Sequence, residues 1–520
     1  MVIGIDLGTT YSAVSYLDEK GEPQIILNRD EEATTPSVVF VDGTDVVIGK
    51  NARKKALQWP QKICRCVKRF MGFREPVLKE KKVEYSPEAI SALIIRRLIE
   101  DVMIRKEEEI EGIVVTVPTY FNDAKRTATK QAVMGALQAI RENSQGMESK
   151  INKVNFIEII DEPKAAALYY CHKSKRKQGK ILIYDLGGGT FDAALVEIDG
   201  NTVKIVAEAE EHAAGGHYFD NKVMEYVIDE IYANYKINLK EEEYSAEREL
   251  MLLDVENSKK ALSEEGIDEV KIAVSCKYRT YDVLLTKDKF NEIISSIVFR
   301  TQDAISNMLE EKGYEEDEID EVVLVGGSSK IPYVRDCLKE MFGKELCEAI
   351  DPDKAVTYGA SIYADMFWRE KEQKEDSREE NEEKEVLKLE DVCAHSIGLL
   401  TINPDTGEKE NDVLIEENTP IEAEQERGYE TAYENQTYIK LELTEAEEVI
   451  SEQNIKLPKG LKKGTEVIVR VVVNSSHLIE VHLKVPSIGF CREYEIPRLQ
   501  NLSEEEQKEL SGLVSSKKIY

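Results

Sequence analysis

Three glycine-rich turns each follow a short apolar run, and their residue types suit the binding of a polyphosphate. They are 6–10 (Asp-Leu-Gly-Thr-Thr), 185–190 (Asp-Leu-Gly-Gly-Gly-Thr) and 326–328 (Gly-Gly-Ser). Glycine lets the backbone approach an anion closely, and successive N–H groups in such a turn point at phosphate oxygens. An aspartate at the strand end can hold Mg²⁺, which combines few carboxylates with phosphates and water. Because the first two turns are similar, we expect them to face each other around the phosphates of a nucleotide.

Other motifs that carry nucleotide or hydrolase chemistry are absent from the sequence. It contains no G-x-x-x-x-G-K-[ST] pattern, no G-x-S-x-G and no H-E-x-x-H. The first absence excludes a P-loop enzyme, and the other two exclude the common serine-elbow and zinc-protease sites.

The charge of the chain restricts its partners. The 520 residues include 101 acidic and 69 basic side chains, a formal net charge of −32. Nucleic acids and anionic membranes both select basic surfaces, so neither is expected as a partner. No basic, apolar leader opens the sequence, and no stretch of ~18 apolar residues could span a membrane. Eight scattered cysteines favour reduced thiols, and we expect a cytoplasmic monomer.

The turns require a scaffold of strands and helices, which the pattern up to residue 368 supplies. Four short apolar runs predict buried strands, each followed by a turn or a helix signal. They are Ile3–Leu7, Gly112–Val117, Ile181–Tyr184 and Val322–Val325. Helices are expected after Ser86-Pro87, Asn122-Asp123, Ser245, Lys287 and Ile331. Alternating strands and helices indicate an α/β architecture over residues 1–368.

The pattern changes after residue 368. Glu370–Glu385 carries nine acidic and four basic side chains, which predicts an extended, self-repelling linker within residues 369–391. Period-two alternation then predicts an all-β unit over residues 392–497. Its expected strands are Ile397–Ile402, Thr437–Leu443, Thr465–Val473, Leu478–Val485 and Gly489–Ile496. Residues 498–520 are expected to form a helical stub, with a helix over Leu502–Leu513.

Four segments together resemble the signatures of the heat-shock protein 70 (DnaK-type) chaperones. They are 6–11 (Asp-Leu-Gly-Thr-Thr-Tyr), 117–123 (Val-Pro-Thr-Tyr-Phe-Asn-Asp), 185–192 (Asp-Leu-Gly-Gly-Gly-Thr-Phe-Asp) and 325–328 (Val-Gly-Gly-Ser). The resemblance covers residues 1–368 strongly and 386–497 more weakly. It implies a two-lobed, actin-like α/β ATPase domain around a nucleotide cleft, followed by a β-sandwich that holds extended peptides.

The resemblance also implies which residues hydrolyse ATP. Lys68 matches the lysine that positions the attacking water, and Thr190 matches a threonine that contacts the γ-phosphate. Four carboxylates match those that order Mg²⁺, potassium and the water: Asp6, Glu162, Asp185 and Asp192. Asp6, Asp185 and Asp192 are the implied metal site. Phosphoryl transfer needs mainly positioning and charge neutralisation, which such groups supply.

The implied contacts to ATP or ADP extend along the chain. They are Gly8, Thr9, Thr10, Tyr11, Gly187, Gly188, Gly189, Gly215, Gly216, Glu256, Lys259, Lys260, Ser263, Gly326, Gly327, Ser328, Lys330 and Asp353. The family usually has arginine at Lys260 and Lys330, where two side chains sandwich the adenine. Because lysine cannot stack as a planar guanidinium does, we expect ATP binding to be about tenfold weaker.

Communication between the two ligand sites is implied for a further set of residues. Pro118 and Arg126 match a pair that relays the nucleotide state to the linker. Leu387, Leu389 and Asp391 lie where the family has a strand that docks on the ATPase domain.

Two features of this chain depart from the family pattern. Lys388 and Glu390 place charges in the docking strand, so one of its sides must face water. Glu158 stands where an arginine often receives the J-domain cochaperone, which makes that partner doubtful. A nucleotide exchange factor remains an expected partner.

The β-sandwich is expected to bind unfolded or extended polypeptides. The candidate pocket residues are Leu399, Thr401, Ile402, Ala432, Ile439 and Leu441. The alternative is that most of them are ordinary sandwich core. The family's helical lid has no counterpart in residues 498–520, so we expect weak peptide binding with fast exchange.

Two other functions are compatible with an actin-like ATP site. One is a small-molecule kinase, which would need an aspartate base beside an acceptor pocket that the sequence does not identify. The other is a non-catalytic regulator or filament former that holds ATP as a structural ligand.

Overall fold

The computed structural model describes residues 1–56, 58–143, 148–276, 279–347, 349–375, 387–393, 395–402, 407–474, 479–494 and 501–520. A first α/β region begins the chain. Its strands are β1 (Val2–Asp6), β2 (Tyr11–Leu17), β3 (Pro23–Ile25), β4 (Thr35–Pro36), β5 (Val38–Asp42), β6 (Asp45–Ile48), β7 (Ile63–Arg65), β8 (Leu78–Glu80), β9 (Val83–Tyr85), β10 (Gly112–Val117) and β11 (Phe156–Asp161). Its helices are α1 (Lys50–Lys55), α2 (Pro87–Arg105), α3 (Asp123–Asn143) and α4 (Glu162–Ser174).

The main sheet of this region has the order β11-β10-β1-β2-β3, with β4 paired to β2. The buried strands β1 and β10 are parallel, as expected of short apolar runs joined through a helix. Helix α2 begins as the sequence predicts: the Ser86 side chain accepts from the Ala89 N–H at 3.2 Å, and Pro87 occupies the first turn.

A second α/β region follows. Its strands are β12 (Gln178–Leu186), β13 (Phe191–Asp199), β14 (Thr202–Glu211), β15 (Glu269–Cys276), β16 (Arg279–Thr286) and β17 (Glu321–Val325). Its helices are α5 (Gly216–Tyr235), α6 (Ser245–Leu262), α7 (Lys287–Lys312), α8 (Pro332–Phe342) and the connecting helix α9 (Ala355–Glu375). Strands β17, β12, β13 and β14 form one sheet in that order.

Helices α4 and α9 lie between the two main sheets. Their apolar side chains share one core with residues of β10 and β12. The packing is so close that a Cβ on Gly359 of α9 would lie 1.7 Å from the Ala165 carbonyl oxygen of α4. This core holds the two sheets together.

The charged run begins inside a helix, which corrects the predicted start of an extended linker. Helix α9 continues through Glu370 to Glu375. Arg369 pairs with Asp365 at 2.7 Å one turn earlier in the same helix, a spacing that supports a helix rather than an extended chain. The predicted linker residues 376–386 lie outside the described residues.

The last part of the linker forms β18 (Lys388–Glu390), which pairs in parallel with β14. Leu387 and Leu389 pack against the core that α4 and α9 share, whereas Lys388 and Glu390 are exposed. The alternating pattern therefore predicted the two sides of this strand correctly.

The all-β region contains two four-stranded antiparallel sheets that share one apolar core. Its strands are β19 (Ile397–Ile402), β20 (Lys409–Ile415), β21 (Ala423–Glu430), β22 (Tyr438–Glu445), β23 (Glu448–Lys456), β24 (Glu466–Val473), β25 (Ile479–Val485) and β26 (Phe490–Tyr494). Strands β20, β21 and β23 were not predicted, because exposed charged residues break their alternation. Two residues of the predicted strand Gly489–Ile496 lie outside the described part of the chain.

Helix α10 (Glu504–Ser515) and β27 (Lys518–Ile519) follow. Ser503 and Glu506 form a capping box, so the helix begins two residues after the predicted Leu502. Helix α10 packs against α2 and α3 of the first α/β region. Across the described ranges, none of the helices combines the length and apolarity that a membrane crossing requires.

Candidate functional site

The first two glycine-rich turns face each other, as the sequence predicts. A Cβ on Gly188 would lie 2.4 Å from the Thr10 hydroxyl oxygen, and one on Gly189 would lie 2.7 Å from the Thr9 methyl carbon. Such approaches exclude any side chain at both glycines. The turn after β1 and the turn after β12 therefore form the two walls of one narrow cleft.

Two further turns join the same cleft. The Gly216 N–H donates to the Gly187 carbonyl at 3.0 Å, and the Ser328 hydroxyl donates to the same carbonyl at 2.8 Å. Gly326 has a positive φ of 78°, and a Cβ there would lie 2.5 Å from the Leu186 carbonyl oxygen. Glycine is thus required where the third turn meets the second.

Lys68 lies at the base of this cleft. Its side chain is 2% exposed, and its ammonium forms an ion pair with Glu162, the first residue of α4. It also donates to the Thr116 carbonyl of β10 at 3.4 Å. These contacts hold a buried cation beside the phosphate-binding turns.

Two buried aspartates, Asp185 and Asp192, and the half-buried Asp6 surround the same point. Asp6 accepts from the Thr116 hydroxyl at 3.1 Å, and Asp192 accepts from the Thr119 N–H at 2.9 Å. Burial and the charge of Glu162 raise the pKa of Asp6 to about 6 and that of Asp192 to about 7. The same two causes raise the pKa of Asp185 well above its usual value. Four carboxylates thus share one lysine, and the group is short of positive charge.

This donor set fits Mg²⁺. All of the donors are oxygens, which hard cations prefer, and an added cation would relieve the excess of negative charge. Within the described residues, no three His, Cys, Asp or Glu side chains are grouped closely enough to hold a metal ion. Mg²⁺ near Asp6, Asp185 and Asp192 would therefore be held mainly through phosphates and water, and not by all three carboxylates directly.

The residues implied at the adenosine lie on the last turns of α6. Lys260 Nζ lies 2.6 Å from Glu256 Oε1 and 3.3 Å from the Tyr11 hydroxyl. Lys259 Nζ donates to the Gly216 carbonyl at 3.1 Å, and the Ser263 hydroxyl donates to the Lys259 carbonyl at 3.0 Å. This helix end therefore borders the cleft.

Lys330 lies after the third turn. Its ammonium forms an ion pair with Asp353 at 2.5 Å, and a Cβ on Gly327 would lie 3.2 Å from the same aspartate. Lys330 and Lys260 are both about half exposed, so each ammonium is held by a carboxylate at the edge of the cleft.

Sequence reasoning missed three arginines that connect the first α/β region to α5 and α6. The ion pairs Arg53–Glu256 and Arg65–Glu249 measure 3.4 Å and 2.6 Å. Arg69 donates to the Tyr218 hydroxyl at 2.5 Å. No spacing in the sequence indicates these long-range pairs.

A second buried charge cluster was also missed. Lys164 of α4 is 1% exposed and lies 2.5 Å from Asp161, 3.3 Å from Glu208 and 2.7 Å from Asp391 of the linker. Arg126, predicted to relay the nucleotide state, pairs with Asp161 at 2.5 Å. Burial raises the pKa of Glu208 to about 8. The one local indication of this cluster in the sequence is Lys164, a charged residue followed by three alanines in an apolar helix.

Two other predicted residues lie near this cluster. Pro118 directly follows β10, and its carbonyl accepts from the Phe121 N–H at 3.1 Å. Phe121 in turn accepts from Arg126 Nε at 2.7 Å. Glu158 forms an ion pair with Lys130 at 3.1 Å. The position where the family often has an arginine for the J-domain cochaperone therefore carries a paired carboxylate.

The six candidate peptide-pocket residues do not share one environment. Leu399 and Leu441 are buried in the core between the two sheets, and Ile439 packs against that core. Ile402 is 69% exposed, Ala432 is exposed and Thr401 is half-buried. The structure divides them into core and surface residues.

A comparison with protein-family models agrees with the motifs and the geometry. The model described as Hsp70 protein matches residues 2–513 of this chain. The matched range includes both α/β regions, the linker strand, the all-β region and most of α10. The chain therefore belongs to the Hsp70 family of ATP-hydrolysing chaperones.

Proposed function

We propose that this chain is an ATP-dependent chaperone that hydrolyses ATP to ADP and phosphate and binds extended hydrophobic segments of unfolded proteins. The two α/β regions are the lobes of an actin-like ATPase, and the all-β region is the peptide-binding sandwich. The observation that supports this most is the meeting of two phosphate-type turns above the buried Lys68–Glu162 pair.

The cleft is suited to the triphosphate of a nucleotide. Turns whose glycines exclude side chains leave backbone N–H groups and the hydroxyls of Thr9, Thr10 and Thr190 to contact phosphate oxygens. The α6 end and Lys330 border the cleft where the nucleoside would lie.

Hydrolysis requires an attacking water in line with the γ-phosphate. Lys68 is held by Glu162 and the Thr116 carbonyl, so its ammonium has little freedom to move. A held cation can orient that water and stabilise the charge that develops on the phosphate oxygens. Mg²⁺ at Asp6, Asp185 and Asp192, when bound, neutralises further phosphate charge.

Peptide binding is proposed for the sandwich, where Ile402 and Ala432 offer exposed surface. Coupling between the two ligands is proposed to run through β18, because Asp391 contacts Lys164 two residues from Glu162. We further propose a cytoplasmic monomer that an exchange factor can assist.

The test is ATP turnover with and without a short leucine-rich peptide. The expected result is phosphate released in step with ADP, at a rate that the peptide raises several-fold. A peptide with aspartate in place of each leucine is the control and should leave the rate unchanged. ADP formation only on addition of a small-molecule acceptor would support the kinase instead. ATP-dependent sedimentation without turnover would support the filament former.

A further inference from the structure

Residues 501–520 follow the all-β region but pack on the first α/β region. Leu510 and Val514 of α10 belong to the core of that region. A Cβ on Gly135 of α3 would lie 2.1 Å from the Leu510 methyl carbon Cδ2. Helix α10 thus approaches α3 as closely as a neighbouring core helix does.

The same segment extends a sheet of the first α/β region. Strand β27 pairs in parallel with β6, which otherwise would be the edge of the sheet β27-β6-β5-β7. The Lys518 N–H donates to the Thr44 carbonyl at 2.9 Å, and the Tyr520 N–H donates to the Val46 carbonyl at the same distance. Covering this edge satisfies backbone groups that would otherwise face water.

Buried polar side chains of the first α/β region complete the attachment. Arg96 of α2 is 6% exposed and donates to the carbonyls of Val514 and Lys517 at 2.9 and 3.1 Å. Gln131 of α3 bonds both backbone groups of Leu502, at 2.8 and 3.2 Å. Arg96 thereby adds a buried, charged donor to carbonyls at the end of α10 and just beyond it.

The all-β region also contacts the first α/β region directly through hydrogen bonds. Glu445 of β22 accepts from the Asp123 N–H at 2.8 Å, and the Asp123 carboxylate accepts from the Ile479 N–H at 3.1 Å. Both contacts are buried, at the N-terminus of α3.

We propose that residues 501–520 are a permanent structural part of the first α/β region, so that the all-β region is anchored at both ends. The linker strand β18 is its anchor on the second α/β region, and the 501–520 segment is its anchor on the first. When β18 alone is released, the all-β region then keeps its hydrogen bonds with Asp123. Relative movement of the two α/β regions acts on the all-β region through two separate attachments. This inference does not depend on the proposed ATPase activity.

Hydrogen–deuterium exchange of the full chain, followed by mass spectrometry, tests the proposal. Leu389→Asp releases β18, and we expect amides of 387–391 to exchange at least about tenfold faster while the peptide containing Ile479 keeps its protection. Adding Leu510→Asp to that variant should remove the protection of Ile479 as well. Gly512→Asp places the same residue on the exposed face of α10 and should change neither reading.

If Leu510→Asp does not fold, Lys518→Pro replaces it. This change removes the N–H that bonds the Thr44 carbonyl and leaves the core side chains unchanged, so it should release β27. Combined with Leu389→Asp, it should also remove the exchange protection of the peptide containing Ile479. Loss of Ile479 protection in Leu389→Asp alone would overturn the proposal. Exchange of α10 amides in the unmodified chain at the rate of an unfolded peptide would also overturn it.

Discussion

Two buried lysines lie among carboxylates near the start of α4, and the balance of charge around them differs. Lys68 shares its surroundings with Asp6, Glu162, Asp185 and Asp192. Of these, Glu162 forms the ion pair with it. The other cluster combines Lys164 and Arg126 with three carboxylates, each of which lies within ion-pair distance of a cation.

This difference separates a ligand site, the Lys68 group, from a structural charge cluster. We call that cluster of Asp161, Lys164, Glu208, Arg126 and Asp391 the lock. Burial raises the pKa of carboxylates in both groups, to about 7 at Asp192 and to about 8 at Glu208. What differs is the number of cations, which is one for four carboxylates around Lys68 and two for three carboxylates in the other cluster. The Lys68 group, which opens on the glycine-rich turns, is therefore the one that is short of positive charge. The Lys164 group is closed by the linker residue Asp391, so its cations come from the protein itself.

The largest expected effect distinguishes the two lysines by chemistry. Lys68→Ala should lower single-turnover ATP hydrolysis by about 100-fold or more, because one positioned transition-state contact is worth about that much. Nucleotide binding should persist, since the turns remain. The check is quenched-flow hydrolysis together with calorimetric binding, and Lys79→Ala, at a side chain that is 65% exposed, is the control. Unchanged hydrolysis in Lys68→Ala would remove the role given to this lysine.

The second effect concerns stability. Lys164→Met removes the buried cation that lies between Glu208 and Asp391, and breaking such a pair costs about 3–5 kcal/mol. We expect the free energy of unfolding to fall by that amount and β18 to exchange its amides faster. Lys204→Met, on the exposed face of β14 opposite Glu390, is the matched control. If denaturant unfolding of Lys164→Met matches that of the control, the lock is not structural.

A smaller effect is expected at the edge of the cleft. In the Lys260→Arg/Lys330→Arg variant, each guanidinium can pair with Glu256 or Asp353 and still present a flat face to the adenine. At about 0.5–1 kcal/mol for each of the two stacking contacts, ATP should bind about five- to thirtyfold more tightly. Calorimetry measures this, with Lys339→Arg on α8 as control. An unchanged dissociation constant would show that neither lysine borders the base.

The smallest expected effect is the number of protons released when ADP binds with Mg²⁺. At pH 6.5 Asp192, with its pKa of about 7, is largely protonated, and a bound cation favours its ionised form. Binding of ADP with Mg²⁺ should therefore release protons at pH 6.5 and fewer at pH 8, where Asp192 is already ionised. Titration in buffers of different ionisation enthalpy counts them. Asp192→Asn should reduce the release at pH 6.5; an equal count in both proteins would contradict the assignment.

The sequence predicted the nucleotide cleft better than the lock, for a physical reason. The cleft depends on local turn chemistry: glycines follow buried strands in all three turns, aspartate precedes them in two, and each pattern is recognisable within six residues. The lock joins Asp161, Lys164, Glu208 and Asp391, which only tertiary packing brings together. Lys164 alone carried a local signal, as a charge in a buried, alanine-rich helix.

The fold shows the same division. Strands with unbroken apolar or alternating runs, such as β10 and β19, were predicted with their observed bounds. Strand β21 was missed because its exposed charged side chains outnumber its buried ones. The pairing of β6 with β27 could not be predicted, because nothing in the residues of β6 indicates which strand lies beside it. Helix α9 continues into the charged run as far as Glu375, where the sequence spaces acidic and basic residues three or four apart, a pattern that favours a helix.

The central claim is that the Lys68 group needs a cation from outside the chain and holds it together with a nucleotide. The most direct measurement is the calorimetric affinity for ADP at pH 7.5, with Mg²⁺ and with EDTA. We predict that affinity falls by at least about tenfold in EDTA, because the phosphates would then face four carboxylates without a bridging cation. Equal affinity in both conditions would contradict the claim.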